Sequence, residues 1–313
     1  MKLIMKNIKF IILTITLVIF ILNINIVINS TKDASYIFFN KIFISIFPFI
    51  ILSDILIYYD YHIFLKKIFG KIVSKLFNVD ENSTMIFILS ILTSTPSNAI
   101  YIKTMLDNNE IDISTSNKII NYTYFPSISF VVGVIGVSIY KSLKIGLILW
   151  LICILYNILI GLYLRKEKCV IKNKIINKNK DDFFTMLKKS FYKGIDTSFI
   201  ILSNLILFTI IINLIKEYIS LNPIIMSLIS GMLEMTSGII EISILNICSI
   251  NKLILTAFIL TFNGFSIIFQ SKSILSNYRI NIKRTLITKL VFSVIIVLLG
   301  WLTICCTTNN GCS

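Results

Sequence analysis

Two stretches decide the fold: TMIFILSILTSTPSNAIYIKTM at 84–105 and PIIMSLISGMLEMTSGIIEISILNI at 223–247. Each has about the length and apolarity of a membrane span. Each is also interrupted near its middle, by Thr93-Ser94-Thr95-Pro96-Ser97-Asn98 in the first and Glu234-Met235-Thr236-Ser237-Gly238 in the second. Pro96 removes a backbone donor and cannot continue a helix. Hydrocarbon cannot satisfy the freed backbone groups, so such a break is tolerated only inside protein or beside a water-filled cavity. Both stretches therefore read as re-entrant hairpins or broken helices. A kinked helix packed on its neighbours is the simpler alternative for the first.

The rest of the chain supplies the membrane. Of 313 residues, 56% are hydrophobic and 14% charged, against about 25% charged in soluble domains. The mean hydropathy is +0.88. Nine apolar blocks emerge, at 8–28, 36–58, 84–105, 119–140, 143–164, 195–215, 223–247, 253–269 and 286–306. The first is long for a signal peptide and lacks a small-residue cleavage site, so it reads as a helix. Between 62 and 77, lysines alternate with Ile, Leu and Phe at helical spacing, the pattern of an amphipathic helix on the membrane surface.

The formal charge of +15 sits on lysines between the blocks, where membrane proteins keep cytoplasmic loops and touch anionic lipid. No nucleic-acid reading motif accompanies it, so nucleic acid is not an expected partner. The six cysteines form no CxxC pair and the single histidine is His62; no metal and no cofactor is expected. No Ser-Lys, His-rich or HExxH constellation lies in the blocks, which argues against an intramembrane enzyme. Trp150 and Trp301 read as interfacial anchors.

FIILSDIL at 49–56 recurs as FIILSNLI at 199–206, with five residues identical in a row. The run RKEKCVIKNKIINKNKDDFF at 165–184 separates the halves. If every block crossed fully from a cytoplasmic N-terminus, the ten Lys and Arg of 165–193 would lie outside, against the positive-inside tendency. Making the two interrupted blocks re-entrant places 24 of the 30 Lys and Arg inside, the five from Lys272 to Lys289 among them. The FIILS helices then run in opposite directions, and the hairpins enter from opposite sides. The expectation is an all-α polytopic membrane protein built as an inverted repeat, with two re-entrant or broken helical hairpins and about seven full transmembrane helices. Its parts are an N-terminal helix and loop (1–35), a first repeat (36–164), a basic cytoplasmic linker (165–193) and a second repeat (194–313).

A carboxylate in mid-membrane is costly and faces a cavity, a partner or a proton path, which makes Glu234 a candidate for proton or cation coupling. On a continuous helix it would share a face with Gly231, Gly238 and Glu241, and no lysine is expected at comparable depth. Asp54 is a second coupling candidate; it either reaches towards cytoplasmic water or makes a symmetric polar contact with Asn204. Thr95, Pro96, Ser97 and Asn98 form the first candidate tip, and Glu234, Thr236, Ser237 and Gly238 the second. Asn121 with Pro126 and Ser127, matched by Asn263 with Gly264 and Ser266, place small polar groups in the blocks after each hairpin. Single asparagines more often bond helix to helix, but as matched sets they become cavity candidates.

FPFIILSDIL at 47–56, TPSNA at 95–99, NYTYFPSISFVVGVIG at 121–136, LEMTSG at 233–238 and FNGFSIIFQ at 262–270 resemble the YlbJ-type sporulation integral membrane proteins, of the nucleoside-recognition or Gate superfamily. The resemblance covers roughly 36–301, and LEMTSG followed by FNGFS is its most specific part. The family's first hairpin typically carries a Gly-Tyr-Pro-Ile-Gly-Ala-Lys-like stretch. Here Pro96 and Ala99 remain, while Thr95, Ser97, Asn98 and Ile100 replace its glycines, tyrosine and lysine.

The resemblance implies a role in endospore formation, in the cell or forespore membrane, with dipicolinate moved into the developing spore. Half-helix N-termini at Pro96 and Ser237 would offer N–H groups to such an anion, which Glu234 would repel unless protonated or cation-bound. The expected activity is carriage of a small anionic solute with a coupling proton or cation. The alternatives are a nucleoside or other metabolite carrier, and a non-transporting scaffold that recruits partners through the 165–193 linker.

Overall fold

The computed structural model describes residues 2–59, 61–167 and 182–307. Residues 168–181 of the expected linker lie outside them. The helices are α1 (Lys2–Leu22), α2 (Ile24–Ile37), α3 (Ile44–Tyr58), α4 (Tyr61–Phe77), α5 (Glu81–Thr93), α6 (Ser97–Asp107), α7 (Ile113–Ile119), α8 (Leu143–Tyr163), α9 (Phe183–Tyr218), α10 (Pro223–Leu233), α11 (Met235–Ile244), α12 (Ser249–Phe262), α13 (Gly264–Ile274) and α14 (Ile282–Thr307). Two π-helical segments, Phe38–Phe43 and Ser129–Ile139, continue α2 into α3 and follow α7. No strand occurs among the described residues.

Helix starts follow local chemistry, because a side-chain acceptor at the N-cap satisfies an otherwise unpaired amide. Asp80 accepts from Ser83 N at 3.1 Å, Asp112 from Thr115 N at 2.8 Å and Asn222 from Ile224 N at 2.9 Å. Asp182 does the same for Phe184 N at 3.3 Å, so α9 begins at Phe183 and the last part of the expected linker is helical. The first apolar block is not one helix: α1 and α2 part at Asn23 and meet at 88°. In α4, Leu65, Val73 and Phe77 are buried while Phe64, Ile68 and Ile72 are exposed, so both of its faces are apolar between the lysines.

By length and composition three helical stretches suffice to cross a membrane: Leu143–Lys166, Phe183–Tyr218 and Ser249–Ile274. A fourth is added if the bent pair at Asn23 is one span. The expected count of about seven is not reached by that measure, because several apolar blocks are divided into shorter pieces such as α5 with α6 and α10 with α11.

Side-chain bonds fix how the pieces run. Asn213 donates to Ser30 at 2.9 Å, while Asp54 pairs with Lys193 and accepts from Ser190 at 2.8 Å; α2 and α3 therefore lie antiparallel to α9. One end of the molecule gathers Asn78, Asp107, Lys118, Glu167, Tyr278 and Arg284: Lys118 Nζ donates to the carbonyls of Asn78 and Glu167 at 3.0 Å each, Arg284 pairs with Glu167, and Tyr278 donates to Asp107. The other end joins Lys216 to Glu241, Lys252 to the carbonyl of Ser243, and Tyr140 to Thr256. Hairpin α5–α6 starts and finishes at the first end; hairpin α10–α11 starts and finishes at the second.

The return of α10–α11 is tight. A Cβ on Gly238 would stand 2.1 Å from Gly231 Cα and 2.3 Å from its nitrogen, whereas residues seven apart on one helix lie about 10 Å apart. The shared spacing of Gly231 and Gly238 is thus the crossing point of a hairpin, not one face of a helix. Gly238→Ala is expected to lower stability by roughly 1–3 kcal/mol because backbone must move to admit the methyl. At Gly133 a Cβ meets nothing within 4 Å, so Gly133→Ala should leave thermal unfolding in detergent unchanged.

Candidate functional site

Each hairpin tip sits against a break in the following helical segment. Around the first tip, Ser94 ends α5 with φ 64°, held by Ser94 N to Ser90 O and Ser97 N to Ser94 O, both 3.0 Å. Thr95 N then donates to Phe125 O at 2.9 Å, Thr95 Oγ1 to the same carbonyl at 3.2 Å, and Asn98 Nδ2 to Thr123 Oγ1 at 3.3 Å. Phe125 and Thr123 belong to the irregular stretch between α7 and the second π-helical segment. Ser127 Oγ closes that break by accepting from Phe130 N at 3.1 Å.

Around the second tip, Glu234 separates α10 from α11 and its Oε2 accepts from Ser237 N at 2.7 Å. The facing break, between α12 and α13, holds Asn263 at φ 68° and Gly264 at φ 70°, left-handed positions that Asn and Gly adopt most readily. A Cβ on Gly264 would lie 3.2 Å from Met235 N and 3.4 Å from Leu233 O. The left-handed turn and the absent side chain together let this break approach the tip.

Both hairpin tips, the break after α7 and the first turns of α13 meet at one cavity of about 60 Å³. Ser94 and Thr95 face it from the first tip, Pro126 and Ser127 from the first break, Glu234 and Thr236 from the second tip, and Ser266 and Gln270 from α13. Ile42, Ile201 and Leu205 close it from the π-helical turn and α9. The volume holds water or an ion but lies well below the roughly 300–1,000 Å³ of small-molecule sites, so this arrangement is a constricted one. Glu234 is 5% exposed, and the lining contains one carboxylate and no basic side chain.

Of the residues singled out from sequence, Thr95, Ser127, Glu234, Thr236 and Ser266 line the cavity. Pro96, Ser97 and Asn98 shape the first tip behind Thr95, and Gly238 and Gly264 permit the close approaches of the second. Asn121 Nδ2 donates to Asn117 O at 2.6 Å, a bond along its own chain. Asp54 lies outside the lining, paired with Lys193, and Asn204 donates to Ile200 O in its own helix, so the symmetric Asp54–Asn204 contact does not form. The Ser237 amide, expected to meet an anion, is occupied by the Glu234 carboxylate.

Whereas Pro126, singled out beside Ser127, also lines the cavity, sequence reasoning passed over Ser94, Met235 and Gln270, although Ser94 and Met235 lie inside the two interrupted motifs. It also placed Lys289 among cytoplasmic loop charges and expected no lysine at the depth of Glu234. Lys289 is instead fully buried, two turns into α14. Removing the Glu234 cap by Glu234→Ala should cost about 1 kcal/mol of stability. Glu234→Gln, which keeps an acceptor for Ser237 N, should lose less; thermal unfolding of both variants in detergent makes the comparison.

No family model and no solved structure matches the chain. Across most of its length it is similar to the sporulation integral membrane protein YlbJ of Bacillus subtilis (strain 168), with 22% identity over 314 residues that cover 87% of this chain and 77% of that protein. Together with apolar helices of spanning length, this likeness makes the chain a multi-pass integral membrane protein.

Proposed function

We propose that the chain is a carrier, not an enzyme, which moves a small polar solute across a membrane of a sporulating cell. The observation that carries this reading is the meeting of two hairpin tips, the break after α7 and the start of α13 at one cavity where Glu234, Gln270 and several hydroxyls stand among apolar side chains. Broken helices that enter from opposite ends and meet in mid-protein are the architecture of many secondary carriers. The inverted repeat, about seven crossings, and a cytoplasmic N-terminus and 165–193 linker belong to the same proposal. They are supported by the antiparallel α3 and α9, which carry the FIILS repeat, and by the gathering of Lys118, Arg284 and Glu167 at one end.

The favoured solute is a small anionic metabolite, dipicolinate, as the likeness to a sporulation protein suggests. Glu234 is then the coupling group: a proton or cation on it offsets the repulsion an anion would meet. A nucleoside or another uncharged metabolite is the second reading, favoured by a lining that has hydroxyl and amide groups but no basic side chain.

Dipicolinate measured separately in mother-cell and spore fractions of a strain lacking this gene tests the first reading. Retention in the mother cell with loss from the spore is expected. Normal spore content, with no redundant carrier present, would move weight to another solute or to a scaffold. Glu234→Gln is expected to reduce uptake and flatten its dependence on pH or cation. A scaffold predicts the reverse pattern, with Thr95, Asn98 and Glu234 substitutions silent and loss of the linker disabling.

A further inference from the structure

Behind the cavity, Lys289 joins the two helix breaks to one another. Its Nζ donates to Asn263 Oδ1 at 2.5 Å, and Asn263 forms the α12–α13 break. The same nitrogen stands 4.1 Å from the ring centroid of Tyr124, which belongs to the break after α7, and 5.8 Å from that of Tyr156. Asn157 holds the backbone of Tyr124 by donating to its carbonyl at 2.8 Å, and the Tyr156 ring is held by its Oη, which donates to the Lys289 carbonyl at 3.1 Å. The ion pairs Asp54–Lys193, Glu241–Lys216 and Glu167–Arg284 do not involve Lys289.

These partners suit a positive charge. Asn263 caps the C-terminal end of α12, the negative pole of the helix dipole. Aromatic faces attract a cation most strongly where water is excluded. In carriers with discontinuous helices, half-helix C-termini are where coupling cations are held. We propose that the Lys289 ammonium is a tethered cation: it fills a monovalent-cation seat formed by the end of α12, Asn263 and the Tyr124 and Tyr156 rings, and so locks the two breaks together. Lys289 is a positioning residue, and the protein carries its own cation where a carrier without this lysine would draw on a diffusible ion.

The inference rests on the carrier reading only for that last consequence; the seat itself is tested without transport, on the full chain purified in detergent. Lys289→Ala should lower Tm by about 5 °C or more. Millimolar n-propylammonium chloride, which matches the atoms removed, should restore at least half of that loss, while 1-propanol and sodium chloride at the same concentrations should not. Equal recovery with propanol would mean that the site needs only filling, and would overturn the proposal; so would a Lys289→Met variant as stable as the parent.

Should Lys289→Ala fail to fold, Asn263→Asp is read against Asn263→Asp/Lys289→Met, since Asp tolerates the left-handed conformation and both variants lose the bond from Asn263 Nδ2 to Leu260 O. Beside an ammonium the new carboxylate should cost clearly less Tm with Lys289 present than with Met; an equal or larger fall with Lys289 in place would show a neutral amine and sink the idea. Absent rescue with dipicolinate uptake intact removes the tethered cation and leaves the carrier standing. Rescue without uptake of any solute tested does the opposite.

Discussion

The fold depends on one constraint: backbone groups released by a helix break at membrane depth must find partners in protein, because hydrocarbon supplies none. The chain breaks its helices at Ser94–Pro96, at 120–128, at Glu234 and at Asn263–Gly264. It meets the constraint by setting the breaks against each other. Thr95 and Phe125 bond across the first pair, Glu234 satisfies the amide of its own tip, and Gly264 comes within reach of the backbone of the second tip. Removing the 120–128 break would strand Thr95 and Asn98 on the first tip, so the cavity follows from satisfying the backbone as much as from any need to bind.

This explains what could be read from the sequence. Pro96 among serines and threonines, and Glu234 beside Gly238, stand out against isoleucine and leucine, so the two tips were legible, as was the helical class. Convergence of the breaks was less so, since Thr95 and Ser266 are far apart in the chain and only packing brings them to one cavity. Lys289 was hidden by its position near the start of an apolar block, where a lysine resembles the loop charges before it; two further turns of helix carry it inside. Lys193, the partner of Asp54, was concealed in the same way by the basic run before it, although it lies on α9.

Glu234 and Lys289 divide the electrostatics of the second break. The carboxylate faces the cavity from the hairpin tip, and the amine approaches Asn263 from α14 on the side away from the lining. They do not pair. A direct ion pair would spend both charges on each other, whereas separation by the α12–α13 break leaves the acid available to the cavity and the amine to the scaffold.

α1 stands apart from this interdependence. Phe10, Leu13 and Leu22 are 70%, 68% and 76% exposed, and its other described side chains are mostly exposed as well. Its exposed apolar surface suits the bilayer, and beyond the sharp turn at Asn23 it makes little claim on the rest of the chain. During synthesis it can therefore settle in lipid at once, as an independent hydrophobic stretch. Hairpin α5–α6 has no such freedom: its tip lacks its remaining partners until 120–128 has been made, and α10–α11 waits likewise for Asn263 and Gly264. Biogenesis is thus set in two modes, one segment that inserts alone and a core that must be sheltered until its complement emerges.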